Sequence, residues 1–585
     1  MGKLNKTTSV DSPLKSFVRA YKKNFLASLA FKLFLIISIV GIYAPLFASG
    51  KPVLVYWNGE YYWPLFRYLL FKGYYTKSID IFFNVLMLSL PFFILSWKLL
   101  RGKIRGTALA ILTILHLALF FVVDAGYVKD PSGDEQLRLL RSTGLYASKE
   151  VESHDALVIL PKELRTWDYE KSFMSTYEKL GLLIRSLYRI RQDAALQKHC
   201  VAFEGRTGKK MLPTLRQMEL YNEKTCLERL NGRLEKLKPS YEVACVEWDV
   251  AVNEYRPYLM ELSKAQHDMN LAFYRHEGDF HHLQSQYQKV SDLSSQTQKK
   301  LVSIRKVLED YGKLQGSVDF IKSKRLWIEK ESSQLRILIN PLLTVFHWEE
   351  DSGGSRDMNK IVSWWQLSRI NQKDLLASLI FGVRVALTVG GVGVLLALCI
   401  GVPLGLISGY FGGRIDMLLS RFTEIWETMP VLFILLLIVS VVGVKSLFLD
   451  TIILGLFGWS GISRYVRMET LKQRELPYVL CAKSMGCSHL HIMFSQILPN
   501  AIFPVISLLP FSMMAMISCE AGLTFLGLGE ETSASWGALM REGVTAFPAE
   551  SRILWPPAIM LTLLLVIIAL IGDGVRDALD PRLRD

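Results

Sequence analysis

No two of the seven cysteines stand as a CxxC pair, so neither a zinc site nor a dithiol redox centre is indicated. A phosphate-binding loop is missing as well. Gly205-Arg206-Thr207-Gly208-Lys209-Lys210 has glycines and lysines, but at the wrong spacing and without the closing Ser or Thr. Residue order offers no Ser/His/Asp or paired-carboxylate arrangement. His276, His281 and His282 fall at i, i+5 and i+6, which does not stack them on one helix face, and His267 is more remote. A solvated helix surface is the expectation there, with no metal and no cofactor. The chain reads as something other than an enzyme.

Long apolar runs are scarce between about residue 128 and residue 375, and abundant on either side. The charge is lopsided, with 68 Lys and Arg against 54 Asp and Glu, a formal net charge of +14. Those cations gather beside the apolar runs, where they act as topology signals. A nucleic-acid surface would need a basic soluble face with interleaved aromatics, and none is organised that way.

A helix needs about 20 apolar residues to cross a bilayer. The runs that qualify are Phe31–Ala48, Ile79–Trp97, Thr107–Val123, Val383–Ser408, Val431–Val444, Leu449–Tyr465, Ala501–Thr524 and Ile553–Gly572, eight spans in all. Ahead of the first lies a basic leader, residues 1–30. That run is too long for the apolar part of a cleaved signal peptide, so an uncleaved anchor is expected. Lys98, Arg101, Lys103 and Arg105 form a basic turn between the second and third spans. An even count with basic ends puts both termini in the cytoplasm and the polar middle outside. Asp80 and Asn84 sit inside the second span, where polar groups are costly unless they face protein, so helix packing is their expected role. The organisation is then a leader (1–30), three N-terminal spans (31–127), a helical extracytoplasmic insert (128–375) and a five-span core (376–585).

Between the sixth and seventh spans the chain reads Pro477-Tyr478-Val479-Leu480-Cys481-Ala482-Lys483-Ser484-Met485-Gly486, and later Gln496-Ile497-Leu498-Pro499-Asn500. Pro477 should break one helix and start another, Gly486 should turn the chain, and Pro499 should stop the helix that follows. This stretch, 478–500, is similar to the EAA loop of binding-protein-dependent ABC importer permeases. Ala482, Gly486, Leu498 and Pro499 keep the family spacing, whereas Leu480 and Cys481 replace its Glu-Ala and Gln496 its Ile. Three further motifs resemble the dipeptide and oligopeptide branch, "C" type. They are Gly409-Tyr410-Phe411-Gly412-Gly413-Arg414-Ile415-Asp416, Leu523–Gly529 followed by Ser535-Trp536-Gly537, and the tail Gly572–Pro581. Lys51–Leu54 and Asn58–Tyr62 also resemble the segment after the first span in the peptide and microcin subgroup. One departure precedes the core, where Gln366–Arg369 and Asn371–Asp374 replace the family's Gly-Thr-Asp and Gly-Arg-Asp.

The resemblance implies an all-α membrane protein with a type I (MetI-like) importer core, seated in the bacterial inner membrane. It implies a second homologous permease subunit, cytoplasmic ABC ATPases and a periplasmic peptide-binding protein as partners. Leu480, Cys481, Ala482, Gly486, Leu490, Leu498 and Pro499 would then be the ATPase-coupling residues, with ATP hydrolysis in the partners.

The insert sets this chain apart from a plain permease. Leu283, Tyr287, Val290, Ser294, Thr297, Leu301, Ile304, Leu308 and Tyr311 repeat at alternating four and three residues, a heptad seam. Weaker patterns run through Glu178–Arg191 and Asn222–Leu237, so a helical hairpin or short bundle with coiled-coil-like arms is expected. Cys200, Cys226 and Cys245 leave one disulfide and one free thiol as the natural expectation, with the pair unassigned. An alternative reading of the whole chain is a membrane-anchored scaffold or sensor working through this insert. The EAA-like loop and its three companion motifs weigh against it.

Overall fold

The computed structural model describes residues 13–128, 167–188, 205, 223–275, 280–344, 369–370, 373–442, 445–530, 533–545 and 553–579. They divide into two compact units, Met1–Tyr56, Glu60–Asp130 and Ile337–Asp585 forming one, Trp57–Gly59 and Pro131–Arg336 the other.

The first unit is helical almost throughout. Its principal helices are α1 (Pro13–Lys23), α2 (Phe25–Ile42), α3 (Ser78–Leu99), α4 (Gly102–Asp124), α5 (Leu375–Phe411), α6 (Gly413–Thr428), α7 (Val431–Val442), α8 (Leu447–Arg474), α9 (Pro477–Ser484), α10 (His489–Ile506), α11 (Leu509–Phe525), α12 (Trp536–Thr545) and α13 (Trp555–Leu579). Two strands, β1 (Leu54–Trp57) and β2 (Glu60–Tyr62), flank Asn58 and Gly59, both at positive φ as a tight hairpin turn requires. With β3 (Arg336–Ile339) they make a sheet of order β2-β1-β3.

Among the described residues, α2, α3, α4, α5, α8, α10 and α13 are long and apolar enough to cross a membrane. Two of the expected spans, the first and the seventh, come out differently. The first begins at Phe25 because the Asn24 side chain accepts from the Ala27 N–H at 3.2 Å and caps the helix there. The fifth is α7, preceded by Pro430 after α6, and residues 443–444 at its expected end lie outside the described residues. The run expected as one seventh span is divided at Ser507 and Leu508 into α10 and α11, neither boundary falling where apolarity alone would put it.

Packing in this unit centres on α5. It lies along α8 on one side and meets α11, α12 and α13 on another, while α2 packs on both α5 and α13. The α5–α8 seam is built from small residues. A Cβ at Gly401 would meet the Trp459 carbonyl at 2.7 Å, one at Gly405 the Ser463 carbonyl at 2.5 Å, and one at Gly409 the Arg467 carbonyl at 2.8 Å. Glycine every fourth residue keeps one face of α5 bare, so the two backbones touch, as membrane helices do where the solvent adds no hydrophobic drive.

The second unit contains two long helices, Glu223–Arg275 of 53 residues and Phe280–Gln334 of 55, each about 80 Å. They run antiparallel. Tyr241 stacks on Tyr311 at 4.0 Å, and Ala244, Trp248, Ala251 and Tyr255 bury against Leu301, Ile304 and Leu308. All nine heptad positions from Leu283 to Tyr311 lie on the covered side of the second helix. Residues 178–188 of the first weaker pattern are helical too, and its last three lie outside the described residues. Cys245 is a free thiol, while Cys200 and the Cys226 side chain lie outside the described residues. So do His276 and all but Gly205 of the phosphate-loop look-alike.

Candidate functional site

The loop that carries the resemblance starts where α8 ends at Arg474. Pro477 occupies the first turn of α9, where its missing N–H costs nothing and its fixed φ suits the helix. After Ser484 the chain turns through Gly486 at φ 76°, the left-handed region that favours glycine. Ser488 then caps α10, accepting from the His491 N–H. Pro499 does not stop this helix. It sits in the first turn of the α-helical stretch Leu498–Ile506, and the six residues before it, Ile492–Ile497, are wound as a π-helix. Widening the turn lets the proline, which has no N–H to offer Ser495, fit without breaking the rod.

One side of this element is fixed and the other is bare. Val479, Ala482, Ile492, Met493 and Ile497 are buried in the core shared with α5 and α8. Leu480, Met485 and Leu490 stand 50%, 72% and 66% exposed, with Cys481 and Gly486 exposed beside them. Leu498 is half-buried and Pro499 exposed at the far end. Of the residues expected to act together, Leu480, Cys481, Gly486 and Leu490 share the open side, while Ala482 faces inward as the anchor.

Polar contacts fasten the loop to its surroundings. The Tyr478 hydroxyl donates to Gln473 Oε1 at 2.7 Å and accepts from Asn500 Nδ2 at 3.2 Å, bracing α9 against α8 and α10. Tyr410, at the end of α5, shares a hydrogen bond with His489 Nδ1 at 2.8 Å, and Lys483 Nζ lies over its ring. Arg474 Nη1 donates to the Gly409 carbonyl at 3.2 Å. Just beyond, Gly412 and Gly413 turn the chain at positive φ and deliver Asp416 to Arg467, whose Nη2 donates to Asp416 Oδ2 at 2.6 Å. The Arg467 bonds, helped by the Ser408 hydroxyl and opposed by partial burial, hold the Asp416 carboxyl below the usual carboxylate range. The motif around Gly412 therefore latches α6 to α8, the helix that leads into the loop, a pairing that the motif did not reveal alone.

The other motifs meet elsewhere. Ser535 donates to Glu520 Oε1 at 2.7 Å and hydrogen-bonds Thr524, and Trp536 Nε1 donates to the Leu379 carbonyl at 3.1 Å, so the segment from Leu523 to Gly537 ties α11 and α12 to α5. The tail lies against the N-terminus, where Asn24 Nδ2 donates to Asp577 Oδ2 at 3.2 Å; Asp580 and Pro581 lie outside the described residues.

Arg384, inside α5, was not singled out by sequence reasoning. It is fully buried and bonds Asp80 Oδ1 at 3.1 Å, Asn84 Oδ1 at 3.0 Å and the carbonyls of Gly41 and Ile42. Its signal was available, since an arginine within an apolar run requires a partner and Asp80 and Asn84 were the polar groups in the neighbouring spans.

Residues 401–585 match the family model described as binding-protein-dependent transport system inner membrane component. An oligopeptide transport system permease protein OppC of Haemophilus influenzae is 38% identical over 36% of this chain and 68% of its own length. A peptidoglycan transport system permease protein YejE of Agrobacterium fabrum is 38% identical over 36% of this chain and 55% of its own. A dipeptide transport system permease protein DppC of Bacillus subtilis is 35% identical over 36% and 67%. With these matches and seven membrane-length helices among the described residues, the chain belongs to the binding-protein-dependent ABC transport permeases, multi-pass components of the inner membrane.

Proposed function

We propose that this chain is one permease subunit of an ATP-driven peptide importer, and that the bare side of α9 and the start of α10 is gripped by cytoplasmic ATPase subunits. The observation that carries this is the loop's two-faced build, apolar and exposed outward, anchored inward to α5 and α8. Exposed leucines on a rigid element suit burial in a soluble partner. A push on α9 would pass through Tyr478, Tyr410 and the Asp416–Arg467 latch to the two helices that share the glycine seam. The loop and both termini then face the cytoplasm, a second permease subunit completes the path, and a periplasmic binding protein supplies substrate. The permeases for oligopeptide, dipeptide and peptidoglycan among its relatives support a peptide or peptide-containing cargo.

The test is reconstitution of the full assembly in proteoliposomes, with uptake of labelled peptide and ATP hydrolysis measured together. Replacing Leu480 and Leu490 with aspartate should abolish uptake and release the ATPase subunits. Retained ATPase binding in that variant defeats the assignment of the loop.

For the two long helices we propose a docking role outside the membrane, motivated by their reach of about 80 Å. Deleting Gly133–Arg356 should lower uptake at limiting binding protein, and unchanged uptake would dismiss the role.

A further inference from the structure

A cavity of about 480 Å³ opens between α5, α6 and α8, within the range of small-molecule sites. Its floor is aromatic, with Phe422 stacked on Trp459 at 6.0 Å and 19° between planes. Its rim is charged. Glu424 and Glu427 belong to α6, where Glu424 ion-pairs with Arg421 at 2.6 Å, and Arg464 of α8 ion-pairs with Glu427. These charges are far from the start of α6, Glu427 lying about 21 Å along the helix from Gly413. They are also open, Glu424 being 58% exposed and Arg464 56%. Charged side chains this exposed line water or a protein surface and not lipid.

Charges of both signs face the same cavity. Glu424 and Glu427 are three residues apart on one helix, about 5–6 Å between Cβ atoms, and Glu427 touches Arg464. Two extended residues reach at most about 7 Å. Both existing pairs, Arg421–Glu424 and Arg464–Glu427, are open to water, so exchanging either partner for a ligand is a small cost. Ser420 and Ser463 also line the cavity. We infer that this cavity is a station for a zwitterionic dipeptide on its way through the subunit, with the ammonium at Glu424, the carboxylate at Arg464 and the side chains over Phe422 and Trp459. The inference rests on the peptide-import reading and names where within this chain the cargo is held.

The experiment is equilibrium dialysis of radiolabelled dialanine with the detergent-solubilised permease–ATPase assembly, without binding protein, competed by N-acetyl-dialanine and by dialanine amide. Glu424→Gln should weaken dialanine and the amide about tenfold and leave the acetylated form unchanged. Arg464→Gln should weaken dialanine and the acetylated form and leave the amide unchanged. Equal loss on all three probes, or no loss, overturns the station, and so does a wild-type assembly that binds no dialanine. Uptake of dialanine by proteoliposomes with the binding protein present separates the two failures. Uptake without dialysis binding removes the station alone, whereas no uptake of any peptide removes the import reading as well.

Discussion

Arg384 Nη1 lies 3.1 Å from Asp80 Oδ1, with 1% and 5% of the two side chains left exposed. The pair joins α5, in the permease core, to α3, one of the N-terminal spans. Further bonds to Asn84 and to the carbonyls of Gly41 and Ile42 leave the guanidinium well satisfied, and Phe381 and Phe83 flank its plane. Removing one member strands the other in a dry site. Asp80→Ala should cost about 3–5 kcal/mol, read as a loss of thermal stability of the purified assembly. Asp80→Leu combined with Arg384→Met should cost less than either alone. Additive losses in the double variant would show that the two residues do not act as a pair.

Asp416 and Arg467 are expected to govern coupling more than stability. Asp416→Asn should lower peptide uptake per ATP hydrolysed by about 1–2 kcal/mol of coupling, roughly tenfold, with the ATPase subunits still bound. The folded carboxyl titrates below its ordinary value of 3.8. Its contribution is therefore complete above that value and fades only as pH falls through the lower, folded one. Coupling should be flat between about pH 8 and pH 5 as far as this latch is concerned. A fall in coupling over that window that disappears in Asp416→Asn would contradict the assigned titration.

Gly486 tests conformation without crowding, because no atom lies within 4 Å of where its Cβ would be. At φ 76°, valine should cost about 1–3 kcal/mol of local strain, misplace α9 relative to α10, and leave ATP hydrolysis running with little uptake. Asparagine, which tolerates this region, should be much milder. Equal coupling in wild type, Gly486→Asn and Gly486→Val would remove the turn from the mechanism.

Cys481 is an exposed free thiol on the open side of α9. A membrane-impermeant maleimide should label it in inside-out vesicles stripped of ATPase, and restored ATPase subunits should protect it. Cys481→Ser supplies the background from the other thiols. Labelling that occurs only in right-side-out vesicles would invert the proposed orientation.

Much of this was legible from residue type and spacing. A membrane helix announces itself by length and apolarity because every lipid-facing residue must be apolar. The heptad positions from Leu283 to Tyr311 were legible because a helix has one covered face and the period records it. The ends of α9 followed from Pro477 and Gly486, whose backbone restrictions are local.

The rest depended on what residues far apart in the chain bring to each other. Asp80 and Asn84 were visible as a cost within a span, Arg384 was passed over, and only the packing of α3 on α5 shows that Arg384 satisfies them. Asp416 lies in a motif and Arg467 outside all of them, and the packing of α6 and α8 on α5 sets them in contact. Pro499 was expected to end a helix, and a π-wound turn before it lets the helix continue. Apolarity placed one span across Ser507 and Leu508, where the backbone divides. Composition and periodicity thus determined that this chain enters the membrane many times and carries a turned loop between two spans. Tertiary structure decided which face of that loop is bare and which charges are paired, because burial and pairing belong to neighbours in space, and one chain's order does not contain them.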